Sequence, residues 1–278
     1  DWLPYYYVIT KISNSKHYYG KAAGLSMLVS QIGSAVGSVV GGVVIATLGF
    51  SWLYRISGGI LILAALMPFL DEFERKDMHV SISEVWQRLS DPGIKKHLVS
   101  YGLRMFDQIA NMSLWPIYLY AIITSYETSG FLQTISLLLA VSISYLVGKF
   151  VDKHNFSMMY GGSLLSTAAW VGRLLLTSPL GLFLTNTCHT LGFTMVWTPH
   201  TALLHAKSSQ KYTLEFWLVH HIICYGFMAI FSIVFALTFY LSYAVSFLFV
   251  LLALASLVTL FLPYLFREYI DTMNKSYA

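Results

Sequence analysis

Residues 101–120, YGLRMFDQIANMSLWPIYLY, form an apolar segment that polar side chains interrupt at helical spacing. Arg104, Asp107 or Gln108, Asn111 and Trp115 recur three or four positions apart, so they share one face of a helix. A charged side chain at membrane depth costs about 2.5–3.5 kcal/mol and normally faces a partner or an internal cavity. We therefore predict a solute or proton pathway along this face. The alternative is an Arg104–Asp107 ion pair that only neutralises itself.

A second apolar segment carries polar and aromatic residues at the same spacing: Asn186, His189, Phe193, Trp197 and His200. Histidine is the side chain whose charge changes near neutral pH. We predict that Asn186 and His189 face the first polar stripe across a central cavity. The alternative is that His189 is a hydrogen-bonded packing residue.

The remaining candidates for metal binding do not form a ligand set. His220 and His221 are adjacent and point about 100° apart on a helix, so they cannot hold one ion together. Cys188 and Cys224 fall in apolar segments and are interpreted as small buried side chains. We predict no metal site and no cofactor, because no His, Cys or carboxylate set has ligand spacing.

These segments belong to a chain whose composition is that of an all-α, polytopic membrane protein. Of its 278 residues, 56% are apolar and 11% are charged, against about 25% charged in soluble domains. The lipid bilayer is therefore the expected partner, and nucleic acid is not, because the basic residues form no continuous stripe. The predicted spans are 22–48, 51–70, 98–123, 129–151, 156–177, 180–205, 214–239 and 241–266.

The basic residues predict the orientation. All but three of the 17 lysines and arginines fall in alternate loops on one side, which the positive-inside rule makes cytoplasmic. The exceptions are Arg55, Arg104 and Arg173. Arg55 and Arg173 lie close to the outer ends of their spans and are expected to reach the interface. The linker and the C-terminus are then cytoplasmic. The membrane is expected to be the plasma or inner membrane of the cell.

Three parts follow along the chain. Residues 1–70 form a first membrane block, in which 1–12 resemble the last turns of a further helix. Residues 71–97 are a charged cytoplasmic linker, and residues 98–278 form a second block with six predicted spans. The chain opens inside an apolar run, as expected of a fragment of a longer protein.

Two motifs carry a family resemblance. Gly24, Gly33, Gly37, Gly41 and Gly42 follow the spacing G-x8-G-x3-G-S-x2-G-G. This is similar to the fifth-helix signature of the major facilitator superfamily, G-x8-G-x3-G-P-x2-G-G, with Ser38 in place of proline.

The second motif follows three spans later. Gly148, Asp152 and Lys153 resemble the family's G-x3-D-[RK] loop between its eighth and ninth helices, although Asn155 replaces the usual glycine. On this alignment the chain runs from the end of the fourth helix to the twelfth. The resemblance then implies that residues 1–70 are the end of an N-terminal helical half and that residues 98–278 are the C-terminal six-helix half.

The resemblance implies a secondary transporter that moves a small solute by alternating access, coupled to protons or another ion. It also implies that the glycine helix packs on the helix at 129–151 through its glycine face, and that Asp152 meets the start of the glycine helix. The glycine signature is associated with antiporters and exporters.

The charged pair on the first polar stripe has one member that can release a proton. Of Arg104 and Asp107, only Asp107 could carry a proton, because arginine stays protonated. Arg104 would then hold the carboxylate or an anionic group of the solute.

Other classes of function lack their motifs in this sequence. No His-x4-Asp or Asp-rich motif of a membrane transferase occurs, and no Walker glycine loop occurs, so no enzyme is predicted. A facilitator-fold receptor or scaffold without transport activity remains the alternative.

Overall fold

The computed structural model describes residues 9–10, 18–70, 83, 102, 104–152, 157–208, 213–240 and 245–262. The linker at 71–97, apart from Ser83, and Lys153 of the loop motif lie outside these ranges.

All regular elements in the described ranges are helices. We number them α1 (Tyr19–Leu48), α2 (Phe50–Leu70), α3 (104–123), α4 (Tyr126–Asp152), α5 (Met158–Leu175), α6 (Pro179–Ser208), α7 (Thr213–Tyr240) and α8 (Val245–Val258, followed by a 3-10 turn at Thr259–Phe261). Most of these bounds agree with the predicted spans to within about four residues, because long apolar runs and the loops between them are visible in the sequence.

Two sharp boundaries have a local cause. Gly49 ends α1 with φ 82°, and its N–H donates to the carbonyl oxygens of Val44 and Ile45 at 3.1 and 3.0 Å. This left-handed conformation suits glycine, and α2 begins at the next residue. Thr124 ends α3 with φ 57°, and its N–H donates to the carbonyl oxygen of Tyr120 at 2.8 Å.

Helix α1 packs along α4 at a distance that only glycine allows. A Cβ on Gly24 would lie 2.9 Å from the carbonyl oxygen of Ser144, and one on Gly148 would lie 2.5 Å from that of Gly20. Near the other end of the pair, a Cβ on Gly42 would lie 2.7 Å from the carbonyl oxygen of Tyr126. The two helices are the pair whose contact the resemblance predicts. Small residues bring backbones close where apolar side chains gain little by association.

Only part of the glycine motif takes part in this contact, because Gly33, Gly37 and Gly41 lie on a different face of α1. A Cβ added at Gly33 or Gly37 would meet nothing within 4 Å, and both residues are exposed. A Cβ at Gly41 would meet only ordinary contact with Leu53 on α2, at 3.7 Å. At about 100° per residue, these three glycines lie on the side of α1 away from Gly24 and Gly42.

A polar side chain joins α1 to two other helices. Gln31 is 3% exposed; its Nε2 donates to Thr194 Oγ1 on α6 at 2.6 Å, and its Oε1 accepts from Ser144 Oγ on α4 at 2.5 Å. Because each of these buried groups has a partner, the three helices are held in one register.

A second glycine contact joins α5 to α6. A Cβ on Gly162 would lie 2.7 Å from the carbonyl oxygen of Gly192, and one on Gly192 would lie 2.6 Å from that of Gly162. Further along α5, Trp170 packs on Phe249 of α8 with ring centroids 5.5 Å apart. Helix α5 is therefore held between α6 and α8.

Among the residues that the structure describes, three helices are long and apolar enough, by length and composition, to cross a membrane: Tyr19–Leu48, Tyr126–Asp152 and Phe216–Thr238. Shorter apolar helices cover Phe50–Leu66 and Leu248–Phe261. This is compatible with a membrane protein. The other predicted spans stay predictions.

Candidate functional site

The carboxylate of Asp107 is the centre of a buried polar cluster. Asp107 is 6% exposed, and its Oδ1 accepts three hydrogen bonds: from Trp170 Nε1 at 2.5 Å, His189 Nε2 at 3.2 Å and Ser256 Oγ at 3.1 Å. The donors come from α5, α6 and α8, so one carboxylate on α3 joins four helices. Several hydrogen bonds to a carboxylate offset part of its desolvation cost.

Arg173 provides the opposite charge in this cluster. Its side chain is 0% exposed and lies between two indole rings, 3.7 Å from the Trp115 centroid and 4.1 Å from that of Trp170. Its Nη2 donates to Asn111 Oδ1 at 3.1 Å and to Asn186 Oδ1 at 3.4 Å. Cation–π contacts of a desolvated guanidinium are worth about 2 kcal/mol. Arg173 thus connects Asn111, Asn186 and Trp115, three of the predicted site residues.

The expectation that the Arg173 side chain extends to the membrane interface is therefore wrong. A snorkelling arginine extends its guanidinium into water, whereas Arg173 is enclosed by aromatic and amide groups from α3, α5 and α6. Arg55, by contrast, is exposed on α2 and lies 5.2 Å from the Trp52 ring.

The Arg104–Asp107 ion pair, which is the alternative interpretation of this polar stripe, is not formed. Arg104 lies one turn before Asp107 on α3, but its Nη1 donates to His200 Nδ1 on α6, and its guanidinium stacks 3.5 Å from the Trp197 centroid. Because the Asp107 carboxylate is directed to α5, α6 and α8 instead, the two charges have separate partners.

The polar faces of α3 and α6 do meet. His189 contacts Asp107, His200 contacts Arg104, and Asn186 and Asn111 share Arg173. Their shared spacing of three to four residues therefore predicted a real juxtaposition.

Gln108 takes no part in this cluster. It is half-buried, and its Nε2 approaches Met112 Sδ at 3.8 Å on its own helix. A π-helical turn at Ala110–Leu114 follows it, between Asp107 and Trp115. Such turns are frequent at functional sites, and this one changes the direction of the side chains that come after it.

Trp170, Arg173 and Ser256 are the cluster members that sequence reasoning did not select. Trp170 and Arg173 are three apart on α5, a spacing that places them on one helix face. That spacing could have indicated a polar site. Arg173 was instead interpreted as an interface residue, because it lies near the end of a predicted span. Ser256 stands alone in the apolar segment LLALASLV, where nothing in the sequence distinguishes it.

Histidines of α7 lie apart from this cluster. The rings of His220 and His221 are 5.8 Å apart between centroids and nearly perpendicular, and His221 Nδ1 donates to the carbonyl oxygen of Trp217 at 2.7 Å. In the part of the chain that the structure describes, no group of three His, Cys, Asp or Glu side chains could hold a metal ion.

The loop-motif aspartate lies where the resemblance places it, at the start of the glycine helix. Asp152 Oδ1 accepts from the N–H of Gly20 at 2.7 Å, and Oδ2 accepts from that of Lys21 at 2.9 Å. The N-cap residue of α1, Tyr18, makes no capping hydrogen bond of its own through its side chain. A carboxylate from α4 therefore caps α1 and meets the positive end of its dipole.

Asp152→Asn should weaken this contact by about 1 kcal/mol, because the amide keeps one acceptor and turns a donor toward a backbone N–H. Spin labels at Tyr18 and Lys149, in a variant with Cys188 and Cys224 replaced by serine, would report the separation of the two helix ends. We expect a larger fraction of long distances. Glu127→Gln at the opposite end of α4 is the matched control, and equal distance distributions in both variants would contradict the contact's role.

Comparisons with known proteins leave the chain unassigned. No protein-family model matches it, and no curated protein matches it significantly.

Proposed function

We propose that the chain is part of a polytopic, facilitator-type secondary transporter that moves a small solute by alternating access and couples this movement to protons. The observation that carries the proposal is the buried cluster of Asp107, Arg173 and His189. Buried ionisable side chains in apolar helices are expensive and generally mark solute or proton pathways.

The packing of α1 supports the same proposal. Its contact with α4 brings backbone against backbone at Gly24, Gly42 and Gly148. The capping contact of Asp152 sits at one end of this interface. A close glycine interface that is held by a few hydrogen bonds, at Asp152 and at Gln31, suits a rocking motion between two helical units.

Asp107 is the proposed proton-coupling residue together with His189, since their side chains are in direct contact. Full-length protein in liposomes loaded with a pH-sensitive dye should show proton flux on addition of its solute. The solutes to test are a sugar, an amino acid, an organic cation and an organic anion. Asp107→Asn should retain solute exchange at equal pH but lose its dependence on a pH gradient.

Glu127→Gln, an exposed carboxylate on α4, is the matched control and should leave the coupling intact. Undiminished pH coupling in Asp107→Asn would refute the assigned role of Asp107. Absence of flux with every solute class would favour the receptor or scaffold alternative.

A further inference from the structure

The guanidinium of Arg173 has donors that the protein leaves unused. A guanidinium carries five N–H groups, of which the two on Nη2 face Asn111 and Asn186. Nε and Nη1, with the other three, have no hydrogen-bond acceptor in the described part of the chain, although the side chain is 0% exposed. Buried charged donors without an acceptor are costly. This arrangement suits an acceptor that comes from outside the protein.

Two further buried nitrogens near Arg173 also lack a hydrogen-bond partner among the described residues. They are Trp115 Nε1 and His189 Nδ1. The Trp115 ring lies 3.7 Å from the Arg173 guanidinium, and the His189 ring lies 5.1 Å from the Trp170 ring, which also contacts this guanidinium. Side chains of α3, α5 and α6 thus bring unpaired nitrogens to one buried region.

The hydrogen bond to Asp107 decides which nitrogen of His189 can accept a proton. A carboxylate oxygen accepts, so Nε2 of His189 carries the hydrogen and donates at 3.2 Å. Nδ1 of the neutral ring then holds the free lone pair. A proton added there creates a new N–H donor beside Arg173.

Charge balance links that proton to an anion. Among the described residues, Asp107 on α3 and Arg173 on α5 are the charged groups that act on His189, and their charges cancel. The side chains that α4 and α8 bring to this region, Gln133 and Ser256, do not titrate. A single negative charge entering so buried a place is balanced when His189 becomes cationic.

We infer that Arg173, Trp115 and His189 form a binding site for a carboxylate-bearing monoanion, and that His189 takes up one proton from solvent at Nδ1 when the anion binds. This rests on the proposed function, because a site with such buried walls is reached only when the helices separate. A carboxylate matches the planar N–H groups of a guanidinium, and one proton matches one charge.

Calorimetric titration of the purified full-length protein with benzoate tests the inference. We expect benzoate to bind with uptake of about one proton, obtained by comparing buffers of different ionisation enthalpy. Benzyl alcohol, the neutral analogue of similar shape, should not bind measurably. Arg173→Lys keeps the charge but loses the planar guanidinium, so benzoate affinity should fall about tenfold or more.

Two further variants separate this role from a structural one. Arg55→Lys, the same change at an exposed arginine, should leave benzoate binding unchanged. His189→Gln should still bind benzoate, more weakly, but without proton uptake. The His189→Gln variant therefore tests the site even if the Arg173→Lys variant does not fold.

Equal binding of benzyl alcohol, tighter binding of phosphate, or unchanged affinity in folded Arg173→Lys would overturn the site. Solute-driven proton flux in a protein that does not bind benzoate would refute the anion site and leave the transport proposal standing. Benzoate binding by a protein that shows no flux with any solute would support the anion site and count against transport.

Discussion

Gly148→Ala is expected to destabilise the protein by about 1–3 kcal/mol, because the new Cβ has no space between α4 and α1. It would lie 2.5 Å from the carbonyl oxygen of Gly20 and 3.3 Å from the Cα of Gly24. Both are backbone atoms, so they cannot move aside as a flexible side chain does. The helices would have to separate, which also strains the capping contact of Asp152 four residues further on. The thermal unfolding midpoint in detergent measures the loss.

Gly37→Ala is the matched control on α1 and should stabilise the protein slightly instead of destabilising it. A Cβ there meets nothing within 4 Å, and alanine in a helix interior is favoured over glycine by about 0.8–1 kcal/mol. The unfolding midpoint should therefore rise slightly. If Gly37→Ala destabilises as much as Gly148→Ala, the open side of α1 is also a tight interface and the assignment of the contact face fails.

Asp107→Leu should cost about 3–5 kcal/mol of stability, because it leaves the buried charge of Arg173 without its counter-charge. Three hydrogen bonds to Oδ1 are lost at the same time, from Trp170, His189 and Ser256. The double variant Asp107→Leu/Arg173→Met should recover a large share of the loss. Removing both members of a buried charge pair is commonly close to neutral, whereas removing one is not.

Unfolding midpoints of both single variants and the double variant give the coupling energy between the two sites. We expect a coupling of at least about 1 kcal/mol even though the side chains share no hydrogen bond, because charges interact strongly where water is excluded. Additive effects would mean that Arg173 is compensated elsewhere, for example by its indole neighbours alone.

The sequence by itself determined where the helices lie and which faces of α3 and α6 are polar. Hydropathy and helical spacing depend only on the order of residues along one chain. Asn111, Trp115, Asn186 and His189 were found for this reason.

The residues of other helices to which the charged side chains bind could not be predicted from the sequence. Arg104 and Asp107 are one turn apart and well placed to pair, yet each binds a residue of another helix. Arg173 was predicted to extend to the interface because it lies near the end of a span. That position gives no information about the two tryptophans that contact its guanidinium. Spacing gives the side of a helix on which a charge lies, and it does not give the partner.

Helix α1 shows the same division between sequence and tertiary structure. Its glycines include a regular series at Gly33, Gly37 and Gly41, but the positions that contact α4 or α6 include Gly20, Gly24, Gln31, Ala35 and Gly42. Two faces of this helix carry small residues, and either would let a neighbouring backbone approach. Only the docking of α4 and α6, with the Asp152 cap at one end and Gln31 in the middle, decided which face is buried.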